Sequence, residues 1–259
     1  MPEARKDFTY PRVLICEGPD DVVFFERLIE VWNLPRFHVR HTGKKRLAHG
    51  GNTQFDNALG LLKNNDNFAI IKDIVLVSDN DSNKVTSFNT ICRQINRSSF
   101  GPSPSKPLER SIPASNMPAM TVIMVPLDEN EGTLEFVCQK AARDADRTVG
   151  SHVDQFSAVV GADRWPLSRR GKFWLRTSLA VRASDPFVFL GSVFRDPEHQ
   201  DLIPIGHPSF KPIADILSSL APPQGAAGSS PPAEIVRSSR TRAQTRPGPQ
   251  MRPPPRRLR

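Results

Sequence analysis

The stretch Arg12-Val-Leu-Ile-Cys-Glu-Gly-Pro-Asp-Asp21 decides the fold. Its first five residues form a short apolar run, the pattern of a strand buried on both faces. The run stops at Glu17-Gly18, where glycine is expected to let the chain turn tightly. Asp20 to Trp32 then carries Val22, Phe25, Leu28, Ile29 and Trp32 at helical spacing. A second run, Ile74-Val-Leu-Val-Ser-Asp-Asn-Asp81, is the strongest strand signal in the chain and also stops at acids. Between the two, Phe37–Thr42 reads as a strand. Thr53–Lys63 reads as a helix with Phe55, Ala58, Leu59 and Leu62 on one face, capped by Asn52 or Thr53.

The alternation continues downstream. Phe88–Ile95 reads as a helix, Ser98–Pro118 as a long loop rich in Ser and Pro, Thr121–Pro126 as a strand, and Gly132–Arg143 as a helix. Strands alternating with helices predict an α/β fold: a Rossmann-like parallel sheet flanked by helices. After Arg147 the pattern becomes mostly helical, through Phe173–Val181 and Phe210–Leu220. The expected organisation is an α/β core over 8–150, a helical part packed on it over 151–220, and a disordered Pro/Arg-rich tail over 221–259.

The charge belongs to that tail. The chain is +8, but the segment from Ala221 holds eight arginines against one acid, Glu234, together with nine prolines. The other 220 residues are thus close to neutral, and the basic character does not describe the folded surface. Such a tail cannot bury enough apolar surface to offset its ordering entropy. It is either a phosphate-contacting strand or a solvated extension.

Cys16, Cys92 and Cys138 are far apart and odd in number, which argues against a disulfide framework and for a reducing, cytoplasmic setting. No apolar N-terminal leader and no membrane-length apolar stretch is read. His38, His41 and His49 lack metal-ligand spacing, and Gly50-Gly51-Asn52-Thr53 lacks the spacing of a nucleotide-binding P-loop. Gly43-Lys44-Lys45-Arg46 is a short basic run beside the acidic end of the sheet.

In open parallel sheets, ligands bind beyond the carboxyl ends of the strands. Here both strong strands end in acids: Glu17, followed by Asp20 and Asp21, and Asp79-Asn80-Asp81. Asp21 lies near the start of the next helix and can point back toward Glu17. Asp79 and Asp81, if extended, would place both carboxylates on one face. Each group alone is readable as a turn or a helix N-terminus. Together they form a density of hard oxygen ligands suited to Mg²⁺ or Mn²⁺.

This pattern resembles the Toprim domain, found in topoisomerases, bacterial primases, recombination proteins and nucleases of the overcoming-lysogenization-defect (OLD) family. The signature is a Glu ending one strand, in LICEGPDD with Glu17, and Asp-x-Asp ending a later one, in LVSDND with Asp79 and Asp81. VPLDENEGTLEFV, GKFWLRTSLAVR and HPSFKPIADIL are similar to stretches of an uncharacterised bacterial Toprim family related to those nucleases. The resemblance spans Val13 to Leu220. It implies a Toprim-like core and a Mg²⁺-dependent (or Mn²⁺-dependent) nuclease acting on DNA or RNA, with a separate ATPase partner as one possibility and no membrane association.

In that resemblance Glu17 is a general acid/base or a metal ligand, and Asp79 and Asp81 hold the ion. Asp21 and Glu135 are candidates for completing a two-metal site, and Lys172 would steady the transition state. There is a departure. Related sequences carry a further acid just past Asp-x-Asp, where this chain has Ser82 and Asn83. That favours the competing expectation of a non-catalytic regulatory or partner-binding module.

Overall fold

The computed structural model describes residues 8–43 and 54–220. The expectations for Asn52, Thr53, the basic run Lys44–Arg46 and the tail from Ala221 fall outside the described residues.

The strands are β1 (Arg12–Cys16), β2 (His38–His41), β3 (Asp73–Asp79) and β4 (Ala119–Val125). They form one parallel sheet in the order β2-β1-β3-β4. Helices α1 (Pro19–Val31), α2 (Phe55–Lys63), α3 (Lys84–Arg97) and α4 (Leu134–Ala145) follow the strands in turn. Then come α5 (Arg147–Val159), α6 (Leu167–Arg182), α7 (Leu190–Arg195) and α8 (Lys211–Ser219). The fold is α/β and Rossmann-like, as the alternation predicts.

Every residue of β1 and β4 is buried, because the sheet is covered on both sides. Side chains alternate across the pleat, and the two cores follow that alternation. Leu14, Val75, Val77, Ile123 and Val125 face one side, with Phe24, Phe25 and Leu28 of α1, Cys138 of α4, Trp174 and Leu175 of α6, and Ile213 and Leu217 of α8. Val13, Ile15, Ile74, Leu76, Val122 and Met124 face the other, with Phe55 and Leu59 of α2 and Phe88, Ile91 and Ile95 of α3. The helical part after Arg147 therefore shares its core with α1 and α4. Among the described residues, no helix is long and apolar enough to cross a membrane.

Several local expectations need correction. On α1 the buried set is Val23, Phe24, Phe25 and Leu28, with Val22 only half-buried; the sheet and the C-terminal helices together cover a wider arc than one helical stripe. The N-cap of α2 is Gln54. The Ser98–Pro118 segment is not only a surface loop. Its Leu108 N–H donates to Val122 O at 2.9 Å, and Ser111 N–H donates to Met120 O at 2.8 Å. Arg110 pairs with Asp73 at 2.7 Å. The segment thereby covers part of the β4 edge.

Candidate acidic site at the carboxyl edge of the sheet

Because β1 and β3 are adjacent and parallel, with Ile15 opposite Leu76, their carboxyl ends lie side by side. Glu17 sits just past β1 and Asp79 closes β3. One oxygen of Glu17, Oε1, accepts the Asp79 N–H at 3.1 Å and also the Ser78 hydroxyl. Thr42, just after β2, donates its hydroxyl to Glu17 O at 3.0 Å, which fixes the third strand end to the same corner.

Asp21 lies in the first turn of α1 and accepts the Gly18 N–H at 2.9 Å through Oδ2. This bond closes the turn. Gly18 itself is extended, with φ −127°, a conformation open to any residue, so the expected need for glycine there does not hold. Asp79 Oδ1 accepts the Leu134 N–H at 2.9 Å, at the start of α4. Glu135 is the next residue and lies in the same helical turn.

Asp81 departs from expectation. It is not extended: its φ is +51°. It exchanges two backbone hydrogen bonds with Gly132, at 3.1 and 2.9 Å. The strand has ended at Asp79, and the chain must turn here to enter α3, so Asp81 is exposed and does not share a pleat face with Asp79. Gly132 has φ +124°, and a Cβ on it would stand 3.0 Å from Pro126 Cδ; glycine is required at this position. Asn83 also takes a role that sequence reading missed: it caps α3, accepting the Thr86 N–H at 2.9 Å.

Asn80, the unassigned middle residue of Asp-x-Asp, is fully buried. Its amide donates to Pro126 O and Glu129 O, both at 2.7 Å, and its own N–H donates to Val125 O at 2.7 Å. It therefore ties the end of β3 to the loop that leads into α4. A buried polar side chain between two charged ones carries no periodic signal. Only its polarity inside a motif could have pointed to it.

The electrostatics follow from crowding. Burial pushes the Glu17 carboxyl up to about 7, helped by Asp81 and Asp21 and opposed by Ser78. Burial pushes Asp21 up to about 6, with Glu135 and Asp20 adding to the rise. Asp79 is raised well above its ordinary range by burial, then by Glu17, Asp21 and Glu135. Asp81 is raised as well, by partial desolvation of a carboxyl on an otherwise exposed residue. Lys172 opposes the rise at Asp21, Asp79 and Asp81. It reaches this region because α6 packs closely on α4: a Cβ on Gly171 would lie 3.1 to 3.2 Å from Phe136. Among the described residues, no cation within 4 Å pairs with Glu17, Asp21 or Asp79.

The donor set suits a hard cation better than the present side-chain placement does. A cavity of about 10 Å³, near the size of one water, is bounded by Asp21, Ser78, Asp79 and apolar neighbours including Phe25 and Leu134. Nearby, the fully buried Thr133 hydroxyl and the Asn80 Oδ1 have no hydrogen-bond partner. Yet among the described residues no three Asp, Glu, His or Cys side chains converge as a metal-holding group. Glu17, Asp21 and Asp79 each have one oxygen turned onto a backbone N–H, leaving one oxygen apiece.

No curated protein and no solved structure matches the chain. A family model described as a protein of unknown function, DUF3226, matches residues 11–221. That match covers the whole sheet and every helix, so the chain belongs to the DUF3226 family.

Proposed function

We propose that this protein is a divalent-cation-dependent enzyme acting on nucleic-acid phosphodiester bonds, most simply a Toprim-like nuclease. One observation carries the reading: Glu17 and Asp79 stand side by side at the carboxyl ends of two adjacent parallel strands, joined by the Asp79 N–H to Glu17 bond, with Asp21 in the first turn of α1 and Asp81, Glu135 and Lys172 near enough to act on their charges. Buried like charges are costly unless a cation offsets them. The Toprim resemblance of LICEGPDD and LVSDND supports the phosphodiester part.

Asp21 and Asp79, with Asp81 and Glu135 beside them, are the residues that would hold Mg²⁺ or Mn²⁺. A bound cation of this kind supplies charge stabilisation to the phosphoryl oxygens and a more acidic water. Glu17, raised to about 7, is poised to take or give a proton near neutral pH. Lys172, exposed on α6, brings positive charge to the side where a phosphate would develop its own. A separate ATPase partner would belong to the same reading.

The test is a titration of the purified protein with Mg²⁺ and Mn²⁺, followed by incubation with single- and double-stranded DNA and RNA. Cation binding and cutting, both lost in Asp79→Asn, are the expected result. Absence of both sinks the proposal. A second reading, a non-catalytic module, is favoured by the hydrogen bonds that already occupy one oxygen each of Glu17, Asp21 and Asp79. It predicts no cation binding and no cutting.

A further inference from the structure

The segment Asp185-Pro-Phe-Val-Phe-Leu190 leaves α6 and enters α7 beside the acidic site. Phe187 is 80% exposed and Phe189 is 73% exposed, while Val188 and Leu190 between and after them pack against the core. Phe187 sits in a turn closed by the Val188 N–H, which donates to Asp185 O at 3.2 Å, and Phe189 follows it just before α7. Phe189 has φ −84° and ψ 151°, and the Phe187 N–H is held by Asp185 Oδ1 at 2.9 Å. Single exposed apolar residues need no explanation, but two large rings presented together by a built loop do.

The loop's place gives the rings their meaning. Gly191, two residues past Phe189, donates its N–H to Asp20 Oδ1 at 3.2 Å. A Cβ at that glycine would come within 2.6 Å of the same oxygen. The connection that carries the rings is therefore tied at Gly191 to the start of α1, at the residue before Asp21. On α6, Arg169, Lys172 and Arg176 are all exposed. Their i, i+3, i+7 spacing puts them on one helix face, and Lys172 is the member whose charge reaches Asp21, Asp79 and Asp81. A basic helix face, with Arg169 over the Trp165 ring and Lys172 acting on the carboxylates, thus accompanies two exposed rings on a connection tied to the start of α1.

We infer that the site takes single-stranded nucleic acid, with unpaired bases stacking on Phe187 and Phe189 and the phosphate backbone following Arg169, Lys172 and Arg176. The inference rests on the nucleic-acid reading above and deepens it. A base presents a flat face to an aromatic ring only when it is out of a duplex, and a cationic ridge with adjacent rings is the chemistry that holds such a strand whatever its sequence. Near-neutral body charge does not oppose this, because Arg169, Lys172 and Arg176 give this one helix face a local positive charge.

The test measures binding apart from cutting. The full chain is titrated, in EDTA and at one fixed, moderate salt concentration that leaves phosphate contacts in place, into fluorescein-labelled single strands and duplexes of one mixed sequence. Tighter binding of the single strand is expected. Phe187→Ala and Phe189→Ala should each weaken it roughly 5- to 150-fold, with thermal stability unchanged because both rings are exposed. Phe187→Trp and Phe189→Trp should retain it. Equal affinity of the alanine variants, or a preference for duplex, overturns the inference. So does a wild-type dimer that the alanine variants dissociate, since the rings would then serve self-association. A chain that binds single strands through the rings but cuts nothing keeps this inference and sinks the nuclease. One that cuts duplexes with the rings dispensable does the reverse.

Discussion

The Asp79 carboxylate accepts the backbone N–H of Leu134 at 2.9 Å, so the acid that ends β3 also satisfies an orphan donor at the start of α4. Two variants separate these roles. Asp79→Asn keeps an oxygen for Leu134 and removes the charge; Asp79→Ala removes both. Asp79→Asn should lose divalent-cation binding by calorimetry while unfolding in urea at the same or higher concentration than wild type. Asp79→Ala should lose binding and also about 1–2 kcal/mol of stability, as for other lost helix caps.

The pH dependence of the cation-free protein has a definite sign. Glu17 is raised from 4.5 to about 7 and Asp21 from 3.8 to about 6. An acid whose folded value lies above its unfolded one holds its proton more tightly in the folded state. Its contribution to stability is complete below the unfolded value and is lost as pH rises through the folded value. Melting temperature in EDTA should therefore fall between about pH 4 and pH 7. A tenfold difference in proton affinity between the folded and unfolded states is worth about 1.4 kcal/mol at most, and partial solvent exposure reduces that. A melting temperature that climbs steadily from pH 5 to pH 8 would contradict the placement of these acids.

Adding Mg²⁺ or Mn²⁺ at pH 8 should restore what ionisation removes. A ligand at a hundred times its dissociation constant stabilises by about 2.7 kcal/mol. That is a rise of roughly 5–10 °C for a domain of this size. Glu17→Gln, which removes charge but keeps an acceptor for Ser78 and Asp79, should raise the cation-free melting temperature at pH 8 and abolish cutting. Differential scanning calorimetry with and without cation, run beside a cutting assay, checks both.

Gly132 and Asn80 set the shape of the loop that approaches the acids. Gly132→Ala must hold φ +124° and meet Pro126 at 3.0 Å, which should cost about 1–3 kcal/mol. Asn80→Ala leaves Pro126 O and Glu129 O without their donor, and buried unpaired groups cost about 1–3 kcal/mol each. Urea unfolding measures both losses. Cation affinity should fall in parallel, since Asp81 is bonded to Gly132 and adjoins Asn80.

The strand ends were legible because a parallel sheet buries β1 and β3 on both faces, so their apolar runs are continuous and stop abruptly at Glu17 and Asp79. Their placement on one sheet edge followed; that the two strands are immediate neighbours, which pairs those acids, is shown by the register of the sheet. Asp81 was not legible in the same way. Its left-handed backbone is imposed by the Gly132 contact some fifty residues away, and no local pattern reports that. Asn83 has the ordinary signal of a helix cap, yet the acidic motif beside it masked that role. Phe24 on α1 was missed because the C-terminal helices cover a flank of the helix that a single sheet would leave open. Phe187 and Phe189 lie in a turn and the short connection after it, where no periodic pattern marks them.

The pairing of Leu108 and Ser111 with β4 has a consequence for the protein in a crowded cell. Unpaired strand margins are templates for aggregation. Here the chain spends hydrogen-bonding groups of that margin on its own Ser- and Pro-rich segment, and Arg110 pins the segment through Asp73. A foreign peptide cannot add there as a fifth strand without first displacing that segment, and identical copies cannot stack there into a continuous ribbon. The segment that reads as filler between α3 and β4 thus occupies hydrogen-bonding groups of a margin that an added strand would need.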